Sequence, residues 1–354
     1  MKALVLSGGS GTRLRPITHT LAKQLVPVGN KPVLFHGLEA IAAAGVTETG
    51  IVVGDTRAQI QAAVGDGSRF GLEVSYLWQR EPLGLAHAVK IARDFLGDDD
   101  FVMYLGDNVV FDGITEFVER FRERRPAAQI MLAQVDDPRQ FGVAEVSADG
   151  RVTGLQEKPR RPRSDLAVVG VYLFSSAIHK AVAEVEPSAR GELEITDAVQ
   201  WLIDHDLRAE AAVMTGCWKD TGNVPDMLEV NRLVLRSLEP SSAGIVRDSE
   251  INGQVVVEPG ARVTGSVVVG PAVIGSGATV TNSRIGPYTS IAEDCSIADS
   301  WIRDSIVMPR ASITGVRPLE SSLIGQDVEI TRTPEPPSAH RLVLGDRSRV
   351  QIAS

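Results

Sequence analysis

Between residues 245 and 330 aliphatic side chains return at six-residue steps: Val257 and Val263, Ile274 and Val280, Ile285, Ile291 and Ile297, Val307 and Ile313, Ile324 and Ile330. Glycine follows several of them, in Val269-Gly270-Pro271, Ile274-Gly275-Ser276, Ile285-Gly286-Pro287 and Ile324-Gly325-Gln326. Few folds satisfy that period. A β-sandwich would alternate with a period of two and turn roughly every 8–12 residues. A hexapeptide period instead stacks successive turns of a β-helix around an internal aliphatic ladder. The segment 245–354 is therefore expected to be a β-helix domain with a tail, in which Leu342–Leu344 caps the end after the prolines at 334, 336 and 337.

Residues 1–240 have a different texture, and Glu239-Pro240-Ser241-Ser242-Ala243-Gly244 reads as the linker between the two. Short apolar runs at Ala3–Leu6, Gly50–Val53, Val74–Leu77 and Phe101–Leu105 alternate with helical patterns at Val33–Ala44, Arg57–Val64 and Leu85–Phe95. That alternation predicts an α/β domain with a mainly parallel sheet. Further strands are expected at Ile130–Gln134, Gly142–Val146 and Val168–Phe174, and helices at Thr196–His205 and Met227–Leu238.

The first strand runs into Ser7-Gly8-Gly9-Ser10-Gly11-Thr12-Arg13-Leu14-Arg15. Three glycines in four positions let the backbone come close to a bulky ligand and aim several N–H groups at one place. Arg13 and Arg15 add positive charge, so the loop is suited to phosphate oxygens. It is not a P-loop, because no Lys-Ser or Lys-Thr follows the glycines. Nor is it a dinucleotide fingerprint: Leu14 occupies the third glycine position, and no acidic residue occurs between Gly11 and Glu39. The whole chain carries a formal charge of −9, which argues against nucleic acid and anionic membranes as partners. An anionic ligand then needs a local basic pocket or a divalent cation. Cys217 and Cys295 stand far apart without a Cys/His cluster, which argues against zinc, and no apolar run is long enough to span a membrane. The cytoplasm is the expected compartment.

Asp107 follows the strand Phe101–Leu105, at the strand end where parallel α/β sheets gather ligands. A carboxylate there suits Mg²⁺, which takes one or two protein carboxylates besides phosphate and water. Asp220, in Trp218-Lys219-Asp220-Thr221-Gly222, is the candidate partner. Lys23 lies within reach of a phosphate held by the glycine loop, while Lys158 and Arg190 are further basic candidates. Gln79 and Gly84 suggest a second ligand-facing loop, since an amide can read both a donor and an acceptor on a pyrimidine edge. His87 falls on a helix and reads as structural.

These segments together resemble one family. Gly8-Gly9-Ser10-Gly11-Thr12-Arg13-Leu14, Lys23-Gln24, Leu105-Gly106-Asp107-Asn108, Glu157-Lys158-Pro159, Ala189-Arg190-Gly191-Glu192 and Trp218-Lys219-Asp220-Thr221-Gly222 are similar to motifs of the sugar-1-phosphate nucleotidyltransferases. The likeness is strongest to glucose-1-phosphate thymidylyltransferases of the long type. The resemblance implies a Rossmann-like nucleotidyltransferase domain over 1–240 and a left-handed parallel β-helix after it. It implies dTTP and glucose 1-phosphate as substrates, Mg²⁺ as cofactor and a homo-oligomer. Gly8, Gly11, Thr12, Arg13, Lys23 and Gln24 would hold the triphosphate, and Gln79 and Gly84 the thymine. Gly142, Glu157 and Val168 would surround the glucose, Lys158 and Arg190 its phosphate, and Asp107 and Asp220 the metal. Arg13, Lys23, Lys158 and Asp107 would carry the catalysis. Two positions depart from the usual pattern: Phe141 stands where many relatives have Tyr, and Lys219 where an apolar residue is usual.

Three rivals compete with this reading. Another nucleotide or sugar remains open, because Gln79 favours a pyrimidine without separating thymine from uracil. An acyltransferase on the β-helix resembles cases that use a catalytic histidine, and no histidine lies between residues 245 and 330. A non-catalytic sugar-nucleotide-binding subunit would be expected to lose a metal carboxylate or the loop arginine, and Asp107, Asp220 and Arg13 are all present.

Overall fold

A computed structural model describes residues 1–9, 11–332 and 346–351. Leu342–Leu344 and the prolines before it lie outside the described residues. Contacts group the chain into two units. The first comprises Met1–Ser10, Ala22–Leu25 and Val33–Asp220; the second comprises Gly11–Leu21, Val26–Pro32 and Thr221–Ser354.

In the first unit, strands Glu73–Trp78, Glu48–Val53, Lys2–Ser7 and Phe101–Leu105 lie side by side, all parallel. Their residues alternate between two cores, because side chains on a strand alternate faces. Ala3, Val5, Ile51 and Tyr104 pack with Leu34, Leu38 and Ile41 of the helix Val33–Ala43. Leu4, Leu6, Val52 and Met103 pack on the other side with Ala86 and Val89 of the helix Leu85–Ile91. Both faces are covered, as a parallel sheet requires.

The rest of the sheet is mixed: Ala209–Val213 runs parallel to Ala128–Gln134, but the other pairings are antiparallel. Leu166–Phe174 runs antiparallel to Phe101–Leu105, to Ala128–Gln134 and to Gly142–Val146. Gly142–Val146 also forms a hairpin with Val152–Glu157. The reason lies in the connections: a parallel pair needs a crossover of a dozen or more residues, and the stretch between these two strands is too short for one. The helical pattern over Leu85–Phe95 is divided into Leu85–Ile91 and Arg93–Leu96. Two three-residue strands escaped the sequence pattern, Asn108–Val110 and Trp218–Asp220, which pair antiparallel with Asp220 opposite Asn108.

In the second unit, short strands build two six-stranded stacks and one five-stranded stack, every pairing between them parallel. This is the β-helix that the hexapeptide spacing predicts. Val246, Val263, Val280, Ile297, Ile313 and Ile330 stand one above the other, and the four central members of that ladder are buried. A serine ladder marks one corner: Ser249, Ser266 and Ser283 Oγ each accept from the backbone N–H 17 residues on. Ser241–Ser242, read from composition as linker, already pairs with Val256 and Val257 as the first rung.

Helix Val224–Ser237 starts where Asn223 Oδ1 accepts from Asp226 N at 3.0 Å, and it belongs to this second unit. Its buried Asn231 accepts from Gly29 N (2.8 Å) and Ser290 Oγ (2.6 Å) and donates to Tyr288 O (3.2 Å). Arg232 adds a two-pronged pair to Asp304, both contacts 2.6 Å. Among the described residues, no helix is long and apolar enough to cross a membrane.

Candidate active site

The strand Lys2–Ser7 ends at Gly8, and Phe101–Leu105 ends at Gly106-Asp107. Both open at the carboxyl edge of the parallel half-sheet. A Cβ on Gly106 would come within 2.9 Å of Leu6 O, so only glycine lets the two strand ends approach this closely. Asp107 Oδ1 accepts from Asn108 Nδ2 at 2.9 Å. Asn108 Oδ1 in turn accepts from Trp218 Nε1 at 2.5 Å, which ties Asp107 to the strand bearing Asp220. Phe141 packs edge-on against the Trp218 ring, with centroids 5.4 Å apart.

The two carboxylates face one cation. Lys23 Nζ lies 2.6 Å from Asp107 Oδ2 and 3.6 Å from Asp220 Oδ1, and Lys23 is only 7% exposed. Acidic groups more than a hundred positions apart are therefore held within reach of a single point of charge. Gln24, next to Lys23, is buried; its Nε2 would stand 3.8 Å from a Cβ on Gly9, and its Oε1 takes no donor among the described residues.

A second group gathers at the ends of the antiparallel hairpin. Glu157 lies opposite Gly142. A Cβ on Gly142 would meet Thr196 Cγ2 at 2.9 Å, Val168 Cγ2 at 3.1 Å and Glu157 Oε2 at 3.4 Å. Lys158 Nζ and Arg190 Nη1 both stand 3.3 Å from Glu157 Oε1. Lys158 holds a left-handed backbone at φ +41°, a position that costs a non-glycine residue roughly 1–2 kcal/mol, and its N–H is anchored on Phe141 O at 3.0 Å. Arg190 also reaches Glu194 Oε1 at 3.3 Å. Burial pushes the carboxyls of Glu194 and Asp197 up, with the charge of Glu157 adding to both. Burial, and then the charges of Glu157 and Glu194, push the Tyr172 hydroxyl far above its ordinary range, so it stays protonated.

The loop 79–84 joins the strand Glu73–Trp78 to the helix Leu85–Ile91. Gly84 adopts φ +105°, and a Cβ there would run into Leu193 O. Leu193 N donates to Leu83 O (2.7 Å) and Ala86 N donates to Leu193 O (3.0 Å), which fastens this loop to the segment carrying Arg190. Gln79 Nε2 faces Gly84 O at 3.4 Å and His87 Nδ1 at 3.0 Å. A Cβ on Gly8 would lie 3.1 Å from Gln79 Oε1, so the glycine loop and the amide share one corner.

Gly11, Thr12 and Arg13 belong to the second unit. Gly11 takes φ +58°, and its carbonyl accepts from Leu14 N (2.9 Å) and Thr18 Oγ1 (2.7 Å). Arg13 is exposed on the short helical turn Thr12–Leu14. Ser10 lies outside the described residues. Sequence reasoning missed three contacts of the first unit's site. The first is the Asn108–Trp218 hydrogen bond, the second the Ser188–Glu194 contact at 2.9 Å, and the third the His87 contact to Gln79. Asn108 and Trp218 each carried a signal, in their places within the motifs of Asp107 and Asp220.

The nucleotidyl transferase family model matches residues 2–237, and the chain belongs to that family. It is 64% identical over 355 residues to a glucose-1-phosphate thymidylyltransferase of Streptomyces griseus, covering 100% of both chains. A glucose-1-phosphate thymidylyltransferase of Streptomyces antibioticus is 60% identical, again over 100% of both chains. Among solved structures, a candidate glucose-1-phosphate thymidylyltransferase from Bacillus anthracis, crystallised with a sucrose, superposes with a TM-score of 0.63 at 35% identity, covering 68% of this chain and 98% of that one. Within the nucleotidyl transferases, the chain is a member of the glucose-1-phosphate thymidylyltransferase family.

Proposed function

We propose that this protein transfers the thymidylyl group of dTTP to α-D-glucose 1-phosphate, giving dTDP-glucose and pyrophosphate. The observation that carries the reading is the meeting of Asp107 and Asp220 on the Lys23 ammonium, in the unit that also gathers Glu157, Lys158 and Arg190. Such a site answers the main obstacle of the reaction, which is to bring two anions together. At 4 Å each pair of unit charges repels by about 4 kcal/mol at an effective dielectric of 20. The sugar phosphate is already ionised, so its oxygen needs no general base to attack the α-phosphorus. Neutralisation and in-line alignment are what the site must supply.

Asp107 and Asp220 form a hard, all-oxygen donor pair, and it fits Mg²⁺, which keeps water and phosphate for its remaining positions. Mg²⁺ held by Asp107 and Asp220 would supply positive charge that offsets the repulsion between the reacting phosphates. Arg13 and Lys23 stabilise the charge that grows on the leaving pyrophosphate. Lys158 and Arg190 hold the sugar phosphate, while Gly142, Glu157 and Val168 form the wall against the glucose. Gly8, Gly11, Thr12 and Gln24 receive the triphosphate, and Gln79 and Gly84 the thymine. Interactions that strengthen as charge moves to pyrophosphate act on kcat and not only on binding. We further propose a homo-oligomer working in the cytoplasm; light scattering reads the copy number, expected above one.

The test is pyrophosphate release with dTTP, UTP, ATP and GTP against a panel of sugar 1-phosphates in the presence of Mg²⁺. The highest kcat/KM is expected for dTTP with glucose 1-phosphate. No release with that pair refutes the reading, and a higher value for UTP moves it to a uridylyltransferase.

A further inference from the structure

The amide of Gln79 has a fixed direction. Gly84 O carries no proton and can only accept, so the amide atom facing it must be the nitrogen. The same nitrogen lies 3.0 Å from His87 Nδ1, which then has to offer a lone pair. His87 is accordingly neutral, with its proton on Nε2. Burial, then the charge of Lys90, lower the imidazole's affinity for a second proton, against a smaller opposing effect of Glu81. Both amide hydrogens are thus engaged by protein acceptors. What Gln79 presents at the Gly8 corner is Oε1, an acceptor and nothing else.

We propose that His87 is a positioning residue that sets base selectivity, holding the Gln79 carboxamide so that the site accepts a pyrimidine only where N3 carries a hydrogen. The inference rests on the reading above, in which Gln79 faces the base. Thymine and uracil have N3–H and donate to Oε1. Cytosine has a lone pair at N3 and meets the oxygen's lone pairs instead. A mispaired polar contact in a closed site discriminates strongly, because neither partner recovers its lost water. The sequence suggested that the amide reads a donor and an acceptor together; with its hydrogens committed to Gly84 and His87, only the acceptor half is left for the base. The helix residue that reads as structural in the sequence therefore acts on specificity.

The experiment compares kcat/KM for dTTP and dCTP, with glucose 1-phosphate as the second substrate, in wild type, His87→Leu, His87→Lys and His87→Gln. Leucine removes the acceptor, and lysine replaces it by a donor that favours the reversed amide. Both are expected to lower the dTTP-to-dCTP ratio by roughly tenfold or more. His87→Gln can still accept through its own amide oxygen and should keep the ratio within about threefold of wild type. KM for glucose 1-phosphate should stay unchanged in all three, which a general loss of structure would not allow. If the leucine and lysine variants fail to fold, ¹⁵N NMR of the wild-type histidines at neutral pH decides: His87 with an unprotonated Nδ1 and Nε2–H supports the inference, and Nδ1–H overturns it. Variants that fold and keep the wild-type ratio also overturn it. A wild type that releases no pyrophosphate from dTTP is a different failure, that of the functional reading itself.

Discussion

Replacing Lys23 by methionine keeps most of the stem's volume and removes the ammonium that two carboxylates face. At 2.6 and 3.6 Å, an effective dielectric of 20 gives gross attractions of about 6 and about 5 kcal/mol. Desolvating a lysine that is only 7% exposed cancels much of this. Removing one partner of such a group nonetheless leaves like charges facing each other. Asp107 and Asp220 keep side-chain exposures of 25% and 31%, so solvent screens part of their repulsion. The net expectation for Lys23→Met is a loss of about 2–4 kcal/mol, read by urea unfolding at pH 7. Lys23→Met combined with Asp220→Asn removes the repulsion and should recover at least half of that loss. Added Mg²⁺ should raise the melting temperature of Lys23→Met more than that of wild type, because the cation replaces the missing charge. A single variant within about 0.5 kcal/mol of wild type, or a double variant no more stable than the single, would refute the reasoning.

Other substitutions probe the remaining links. Asp107→Asn should lower kcat by roughly a hundredfold or more with little change in KM for glucose 1-phosphate, measured by steady-state pyrophosphate release. Gly84→Ala must strain a φ of +105° and drive its Cβ against Leu193 O; thermal melts should show a loss of about 2–3 kcal/mol, with a raised KM for dTTP. Asp304→Asn breaks the pair with Arg232 and should cost about 1–3 kcal/mol at pH 7. Burial alone would raise the Asp304 carboxyl, but hydrogen bonds from Arg232 and Ser321 outweigh it and hold the group below its ordinary value. Its contribution is therefore complete above the unfolded pKa and disappears as pH falls through the depressed folded one. Unfolding of wild type and variant, compared from pH 7 down to acid, should converge at the low end.

Some of this architecture can be read from residues alone. The ladder of Val263, Val280, Ile297 and Ile313 repeats because every coil must fill the same interior position, and such a repeat is visible in one dimension. The parallel half-sheet was legible for a related reason, since its three inner strands, Lys2–Ser7, Glu48–Val53 and Phe101–Leu105, each carry a buried apolar run. The mixed half was not, because its strand order rests on pairings between distant segments, such as Leu166–Phe174 beside Phe101–Leu105, that no local pattern records. Trp218 and Asn108, 110 positions apart, meet through two three-residue strands that no propensity could single out. The orientation of Gln79 was equally hidden: it is decided by a backbone carbonyl and an imidazole nitrogen, and only their placement in space shows that the amide hydrogens are already taken. The motif residues themselves were legible, and Glu157, Gly142 and Val168 meet as neighbours although they come from three different strands.

The central claim is that an oxygen of the sugar phosphate attacks the α-phosphorus of dTTP. The most direct test is the reaction of dTTP with glucose 1-phosphate labelled with ¹⁸O in its non-bridging phosphate oxygens, followed by mass spectrometry and ³¹P NMR of the products. The account predicts unlabelled pyrophosphate and a labelled oxygen bridging the two phosphorus atoms of dTDP-glucose. Label in the pyrophosphate, or an unlabelled bridge, would contradict it.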